Sequence, residues 1–396
     1  VWHRGAVPDD HAAAAVRYRR RLEGLLGIAA TEGNQIDVLH NGDEIFPAML
    51  DAIRSAERTV DLLTFIYWDG DTGRVFAETL AERARAGVRV RVLLDALGAR
   101  SIDRTWIDRM AESGVDVAWF RPLRTPRVWH WQHRTHRKVL VCDEVVAFTG
   151  GVGIADEWTG DARDEREWRD THFRVRGPAV DGLRAAFVDN WAETDRPVWE
   201  EGIDRFPDHA QVGSSVVQVI RGEAGSGWSD ITTLVRALLR LSQERVRIAT
   251  AYFSPDPETR ELLEETARRG VEVQLLVPGP HADKRFVQLT GEDDYATLLD
   301  AGVAIAAFQP SMLHTKIMLV DRAVACIGSA NLNSRSLAFD EEVDLVVFDP
   351  EVTAVLDGHF DQDWARAIEI DRDRWRRRSP LQRGKERVMT AAAWFI

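Results

Sequence analysis

The chain has 396 residues, 45% hydrophobic and 29% charged, enough for about two domains with apolar cores and too apolar for a disordered segment. Lys and Arg total 51 against 64 Asp and Glu, a net charge of −13, which argues against a general affinity for nucleic acid phosphates and requires any anion site to be local. No run approaches the ~18 apolar residues of a membrane span and no signal-peptide pattern opens the sequence, which begins at Val1 and so leaves an upstream anchor or signal open.

Arg17, Arg19, Arg20 and Arg21 mark residues 1–34 as a basic helical segment. Asn41-Gly42-Asp43 then precedes the first helix of a plan in which short Val/Ile/Leu runs alternate with stretches whose apolar residues recur at three and four. ERTVDLLTFIYW (57–68) is followed by ARAGVRVRVLLD (84–95), where Gly87 stops a helix, by ESGVDVAWF (112–120), and by HRKVLVCDEVVAFTGG from His136; Pro178 opens a further helix. Periodicity is lost between Pro197 and Gly213, which places a linker near residue 205. The plan then returns in the same order as ERVRIATAYFSP (244–255), ARRGVEVQLLVP (267–278) with Gly270 as the stop, DAGVAIAAF (300–308), HTKIMLVDRAVACIGS from His314, and Pro350. This is a duplicated α/β domain. It predicts two α/β/α sandwich lobes with mixed sheets about a pseudo-twofold axis, at 35–204 and 205–370, followed by a basic amphipathic tail at 371–396. Cys142 and Cys326 lie in apolar runs and read as small core residues.

The landmark of each half is HxKxxxxD followed seven residues later by Gly-Gly or Gly-Ser: His136, Lys138, Asp143, Gly150, Gly151, and His314, Lys316, Asp321, Gly328, Ser329. Residues i and i+2 on a strand share a face, so each histidine stands beside its own lysine. Imidazole serves as nucleophile or proton carrier near neutral pH, and an ammonium is a compact charge for a phosphate oxygen. A single HxK is more often a packed or surface pair, but two copies in register, with the same Asp and glycine spacing, are not explained by packing. Facing each other across the lobe interface, the two His-Lys pairs would hold a phosphodiester.

These residues resemble the signature of the phospholipase D superfamily, HxKxxxxD followed by a GSxN-type segment, present twice; the resemblance runs from about Asn41 to Arg378. The blocks TGRVFAETLAERARAGVRVRVLLD, LHTKIMLVDRAVACIGSANLNSRSLAFDEEVDLVVFD and WRDTHFRVRGPAV are similar to the bacterial cardiolipin synthase branch. The resemblance implies a two-step phosphoryl transfer without metal or other cofactor. One histidine attacks phosphorus; the other protonates the departing alcohol and deprotonates the incoming one. His136 is taken as nucleophile and His314 as general acid and base. Lys138, Lys316 and Asn331 would stabilise the non-bridging oxygens, with Ser329 and Gly151 in support. An acidic residue is also implied at each histidine's second ring nitrogen, Glu342 for His314 and Asp170 for His136, while Asp143 and Asp321 brace the strand turn. Where the second half has Asn331 the first has Gly153, so the first phosphate arm lacks a side-chain amide.

The implied activity is transfer of a phosphatidyl group from one phosphatidylglycerol to another, giving cardiolipin and glycerol. Hydrolysis to phosphatidic acid is the close alternative and a nuclease the lesser one; intact His-Lys pairs count against a silent lipid-binding protein. From Val117 to Cys142 there is no acidic residue, and Arg121, Arg124, Arg127, Arg134, Arg137 and Lys138 are interleaved with Trp119, Phe120, Trp129 and Trp131. Trp129, Trp131 and Arg134 are expected at a lipid interface, with a solvated basic loop as the alternative. His130, His133 and His136 recur at threes but have no carboxylate or thiolate beside them to complete a metal site. The basic run from Arg372 to Arg387, with Trp375, Val388, Met389, Trp394 and Phe395, suits an anionic membrane surface. Peripheral contact with an anionic membrane is therefore expected, at the cytoplasmic face of a bacterial inner membrane and without a nucleic acid partner. Oligomeric state is not legible.

Overall fold

A computed structural model describes residues 9–122, 133–223, 229–292 and 294–377. The first half runs α1 (Asp9–Leu26), β1 (Thr31–His40), α2 (Asn41–Ser55), β2 (Thr59–Thr64), α3 (Asp71–Arg85), β3 (Arg89–Asp95), α4 (Arg104–Glu112), β4 (Asp116–Phe120), β5 (Val139–Cys142), β6 (Val146–Gly150), β7 (Thr171–Arg176) and α5 (Ala179–Trp191). The second runs β8 (Ser215–Gly222), α6 (Asp230–Leu241), β9 (Arg245–Ala249), α7 (Pro257–Arg268), β10 (Glu272–Pro278), α8 (Arg285–Glu292), α9 (Tyr295–Ala301), β11 (Ala304–Phe308), β12 (Ile317–Val320), β13 (Val324–Gly328), α10 (Ser334–Ala338), β14 (Glu342–Phe348) and α11 (Pro350–Ala365), then β15 (Ala367–Glu369) and α12 (Arg372–Arg376).

The strands join in the order β15-β11-β10-β9-β12-β13-β14-β8-β1-β7-β6-β5-β2-β3-β4. Read outward from the β8–β1 seam, the two arms carry corresponding strands in the same sequence, so the repeat in the chain is a pseudo-twofold in space. In each arm the three strands linked by helical crossovers are parallel and the remainder antiparallel. The two lobes are thus mixed α/β units, joined through one sheet. The seam is short, pairing Thr31 with Val217 and Asn34 with Ser215 across an irregularity; the fully buried Asn34 amide stitches it by donating to the carbonyls of Thr31 and Ser215.

The central strands are buried on both faces, which is why they read as Val/Ile/Leu runs. One face carries α5 and α11, whose Leu183, Phe187, Leu356 and Phe360 share a single core with strands of both lobes. The other face carries two separate cores. Helices α2, α3 and α4 cover the first lobe through Ile45, Phe76 and Met110, and α1, α6, α7 and α9 cover the second through Leu22, Leu238, Leu262 and Leu298. Helix α1 therefore belongs to the second lobe, with Ala14, Ala15, Tyr18 and Leu22 inward and Arg17, Arg20 and Arg21 exposed. The hairpins β5–β6 and β12–β13 turn on Asp143-Glu144 and Asp321-Arg322, all at positive φ, the conformation of a two-residue hairpin loop. The Asp143 carboxylate accepts from the N–H groups of Glu57, Arg58 and Thr59 at 2.8–2.9 Å. Asp321 accepts from those of Gln243, Glu244 and Arg245, and also from the Tyr18 hydroxyl at 2.7 Å. Both motif aspartates thus pin the hairpin to the start of a neighbouring strand. Among the described residues no helix is long and apolar enough to cross a membrane.

Candidate active site

Each HxK lies immediately before a strand: His136-Arg137-Lys138 leads into β5 and His314-Thr315-Lys316 into β12. Both segments cross to the other lobe as they arrive. Thr135 bridges Glu341 and the His136 N–H donates to the Glu341 carbonyl at 2.8 Å; Leu313 bridges Arg169 and the His314 N–H donates to the Arg169 carbonyl at 2.7 Å. The next residue on each partner segment is a carboxylate, which this bridge delivers to the opposite histidine. His136 Nδ1 stands 2.9 and 3.1 Å from the Glu342 oxygens, and His314 Nδ1 stands 2.8 Å from Asp170 Oδ2. The expectation of Asp170 on His136 and Glu342 on His314 is corrected: the partners are exchanged, because the parallel bridges run between lobes and not within them. With Nδ1 engaged, each imidazole has Nε2 available for chemistry.

Lys138 Nζ donates to the His136 carbonyl at 2.6 Å, and Lys316 Nζ donates to the His314 carbonyl and lies 3.1 Å from His314 Nδ1. All four side chains are almost fully removed from solvent. Burial holds both histidines well below 6.5, lowers Lys138 to about 7 and Lys316 to about 8, raises Glu342 to about 7 and raises Asp170. Two desolvated ammonium groups beside two carboxylate-held imidazoles make a site whose electrostatics a phosphodiester anion completes.

Ser329 and Gly151 sit behind the carboxylates. The Ser329 hydroxyl donates to Glu342 Oε2 at 2.6 Å, joined by the Ser336 side chain. On the other dyad the Trp158 indole N–H donates to Asp170 Oδ2 at 2.9 Å and the Thr171 N–H to Oδ1 at 2.8 Å. A Cβ at Gly151 would fall 2.3 Å from Asp170 Oδ1, so only glycine leaves room for that carboxylate. Asn331 is buried, and its Oδ1 has no hydrogen-bond partner among the described residues. At Gly153 a Cβ would lie 2.7 Å from Ile66 and 3.3 Å from the Trp158 ring. The first lobe has no room for the amide there, chiefly because Ile66 stands against Gly153, with the Trp158 ring behind it.

The headgroup role expected for Arg134 is also corrected. Its guanidinium is 1% exposed; Nε donates between the two Asp95 oxygens at 3.0 and 3.1 Å, and the two Nη groups donate to the carbonyls of Phe120 and Arg121. Arg137 is equally buried and caps the carbonyls of Ala186, Gly222 and Glu342, while Arg121 pairs with Glu193 and Glu341. Half of the cations in that run are internal fasteners, because they answer carbonyls and acids distant in sequence. Trp129, Trp131 and His130 lie outside the described residues. His133 Nδ1 meets the Phe339 carbonyl at 3.1 Å and so does not converge with His136. From the tail, Arg372 and Arg376 pair with Asp300; residues 378–396 lie outside the described residues.

Phe65 and Tyr252 carry no motif of their own in the sequence. Their rings stand 5.3 Å from His136 and 6.3 Å from His314, and each is eight residues into its own ERTV or ERVR block, so aligning the repeats exposes them. Lys284 lies over the Tyr252 ring at 5.4 Å, beside Asp283, which accepts the Tyr252 hydroxyl. It has no signal in the repeat.

Among solved structures, phosphatidylserine synthase from Haemophilus influenzae superposes with a TM-score of 0.73 over 96% of this chain and 98% of that one, at 14% identity. Polyphosphate kinase from Porphyromonas gingivalis gives 0.57 over 86% of this chain and 49% of that one, at 13% identity. Fold and site together define a phosphodiester-transferring enzyme of the phospholipase D superfamily. The family model for the PLD-like domain of cardiolipin synthase matches residues 49–165 and 235–364, once in each lobe. Cardiolipin synthase 2 of Bacillus anthracis is 32% identical over 93% of this chain and 74% of its own length, and the cardiolipin synthase of Geobacillus thermodenitrificans 33% identical over 85% and 68%. The chain belongs to the cardiolipin synthase family of that superfamily, and is a cardiolipin synthase-like phosphatidyltransferase.

Proposed function

We propose that the chain condenses two phosphatidylglycerol molecules into cardiolipin and glycerol. The observation that carries this reading is the pair of histidine–carboxylate dyads, each built from both lobes, with a buried lysine beside each histidine. In the first step the bound phosphodiester anion and the Asp170 carboxylate favour the protonated form of His314; His136 Nε2 attacks phosphorus, the bond to the departing glycerol oxygen breaks, and His314 gives that oxygen its proton. In the second, His314 removes the proton from a glycerol hydroxyl of another phosphatidylglycerol, whose oxygen displaces His136 and restores the neutral imidazole. His136 is the nucleophile because its side chain is 11% exposed against 4% for His314, which leaves the imidazole room to carry the bulky group. The two lysines and the Asn331 amide bind the non-bridging oxygens. The lipid substrate implies peripheral contact with an anionic membrane, to which the exposed Arg17, Arg20 and Arg21 contribute; a bacterial inner membrane, at its cytoplasmic face, is the site proposed.

Mass spectrometry of the products from phosphatidylglycerol vesicles tests this, with and without chelator. Cardiolipin and glycerol in equal amounts, unaffected by chelator, support the reading. Phosphatidic acid alone makes the chain a hydrolase, and cleavage of single-stranded DNA in place of either would make it a nuclease.

A further inference from the structure

The two catalytic histidines have different walls. Trp158 and Ser336 occupy the same place in the two repeats, each twenty-two residues after its histidine, and Trp168 and Asp340 each stand two residues before a dyad carboxylate. Around His314 these positions supply indoles. Trp158 meets the imidazole edge-on at 5.1 Å, Trp168 lies 5.5 Å away, and the two indoles pack on each other at 4.4 Å. Trp68 backs both indoles at 6.2 and 6.5 Å, and Tyr252 closes the side toward Lys284. Around His136 the same positions supply a hydroxyl that serves Glu342 and a carboxylate, Asp340, paired with Arg335. Trp158 is 1% exposed and donates to Asp170, whereas Trp168 is 8% exposed, so Trp168 is the wall residue that can be cut back without touching the dyad.

We infer that the indole wall of Trp158 and Trp168 selects the acceptor, by excluding water from the imidazole that activates it. This rests on the reading that His314 handles the acceptor proton. The phosphatidyl group on His136 meets either water or a lipid glycerol hydroxyl. With water, an O–P bond forms, the N–P bond breaks, His314 takes the proton, and phosphatidic acid leaves. With the lipid hydroxyl the same bonds change and cardiolipin leaves. The proton chemistry is identical, so discrimination has to come from what is allowed beside the His314 ring. An indole face offers water no hydrogen-bond partner, whereas a lipid hydroxyl arrives on a glycerol carbon skeleton that packs against such faces. The polar counterpart around His136 would admit water, but no acceptor is activated there.

The test is the ratio of phosphatidic acid to cardiolipin made from phosphatidylglycerol vesicles by the wild-type chain and by Trp168→Phe, Trp168→Leu and Trp168→Ala, each first checked for cooperative unfolding. Phe keeps an aromatic wall, Leu keeps an apolar one, and Ala opens a space for water. The ratio is expected to stay near wild type in Phe, to rise in Leu, and to rise about tenfold in Ala. A uniform slowing of both products, with the ratio unchanged across the series, would overturn the inference while leaving the enzyme a synthase. Absence of cardiolipin from the wild-type reaction overturns the proposed function, and the inference with it.

Discussion

The two lobes share a frame and differ in what fills it. Both bring HxK in ahead of a strand, both bridge to the other lobe one residue before a carboxylate, and both pin the hairpin with an aspartate. Elsewhere they diverge. The buried Asp95–Arg134 ion pair of the first lobe corresponds to Pro278 and Met312 in the second, and the indoles of Trp158 and Trp168 correspond to Ser336 and Asp340. Asp321 takes a tyrosine hydroxyl from α1 that Asp143 lacks. The shared parts are those a phosphoryl transfer needs on each side of phosphorus. The divergent parts surround the imidazoles and fasten the strands, so duplication has left two histidines of like geometry and unlike environment.

The largest effects come from breaking the crossed dyads one at a time. On an activated phosphatidyl ester whose nitrophenol leaves without protonation, Asp170→Asn keeps a nitrophenol burst and then turns over about 10⁴-fold more slowly, because only the acid-base histidine is misoriented. Glu342→Gln loses the burst itself. Pairing within each half predicts the opposite assignment, so stopped-flow bursts of the two variants separate the arrangements.

Next is the ion pair the second lobe does without. Arg134→Met leaves Asp95 buried and uncompensated, and is expected to cost ~3–5 kcal/mol in denaturant unfolding, partly recovered by adding Asp95→Asn. A headgroup arginine would leave stability unchanged and weaken vesicle binding alone. A smaller effect concerns pH. Each lysine binds phosphate only as an ammonium, and burial lowers Lys138 to about 7 and Lys316 to about 8. On the activated ester, whose leaving group needs no proton, kcat/KM therefore falls as pH rises through 7 and then 8. In pH–rate profiles Lys138→Arg removes the first alkaline step and Lys316→Arg the second, since guanidinium stays charged. The smallest is Tyr18→Phe, expected to cost about 1 kcal/mol by melting with kcat retained, because it removes one hydrogen bond from Asp321 and none from Asp143.

What the sequence discloses is what is local and repeated. The twin HxK, the glycine stops at Gly87 and Gly270, both at φ near +90°, and the same succession of elements along each half all follow from short-range pattern and its recurrence. The exchange of carboxylates does not. Glu342 follows His314, and Asp170 follows His136, at spacings that suit either pairing, and only the bridges through Glu341 and Arg169 decide between them. Arg134 reads as part of a basic loop because its partner Asp95 is 39 residues away, at the end of another strand. Gly153 is visible as a missing amide, yet the side chains that crowd it, Ile66 from just past the end of another strand and then Trp158, are not.

The most direct test of unequal histidines is to trap the intermediate. Asp170→Asn protein is mixed with the activated ester, quenched in base, digested, and sequenced by tandem mass spectrometry. The phosphatidyl group is predicted on His136 and absent from His314. A modified His314, or no covalent adduct during a nitrophenol burst, would contradict the account.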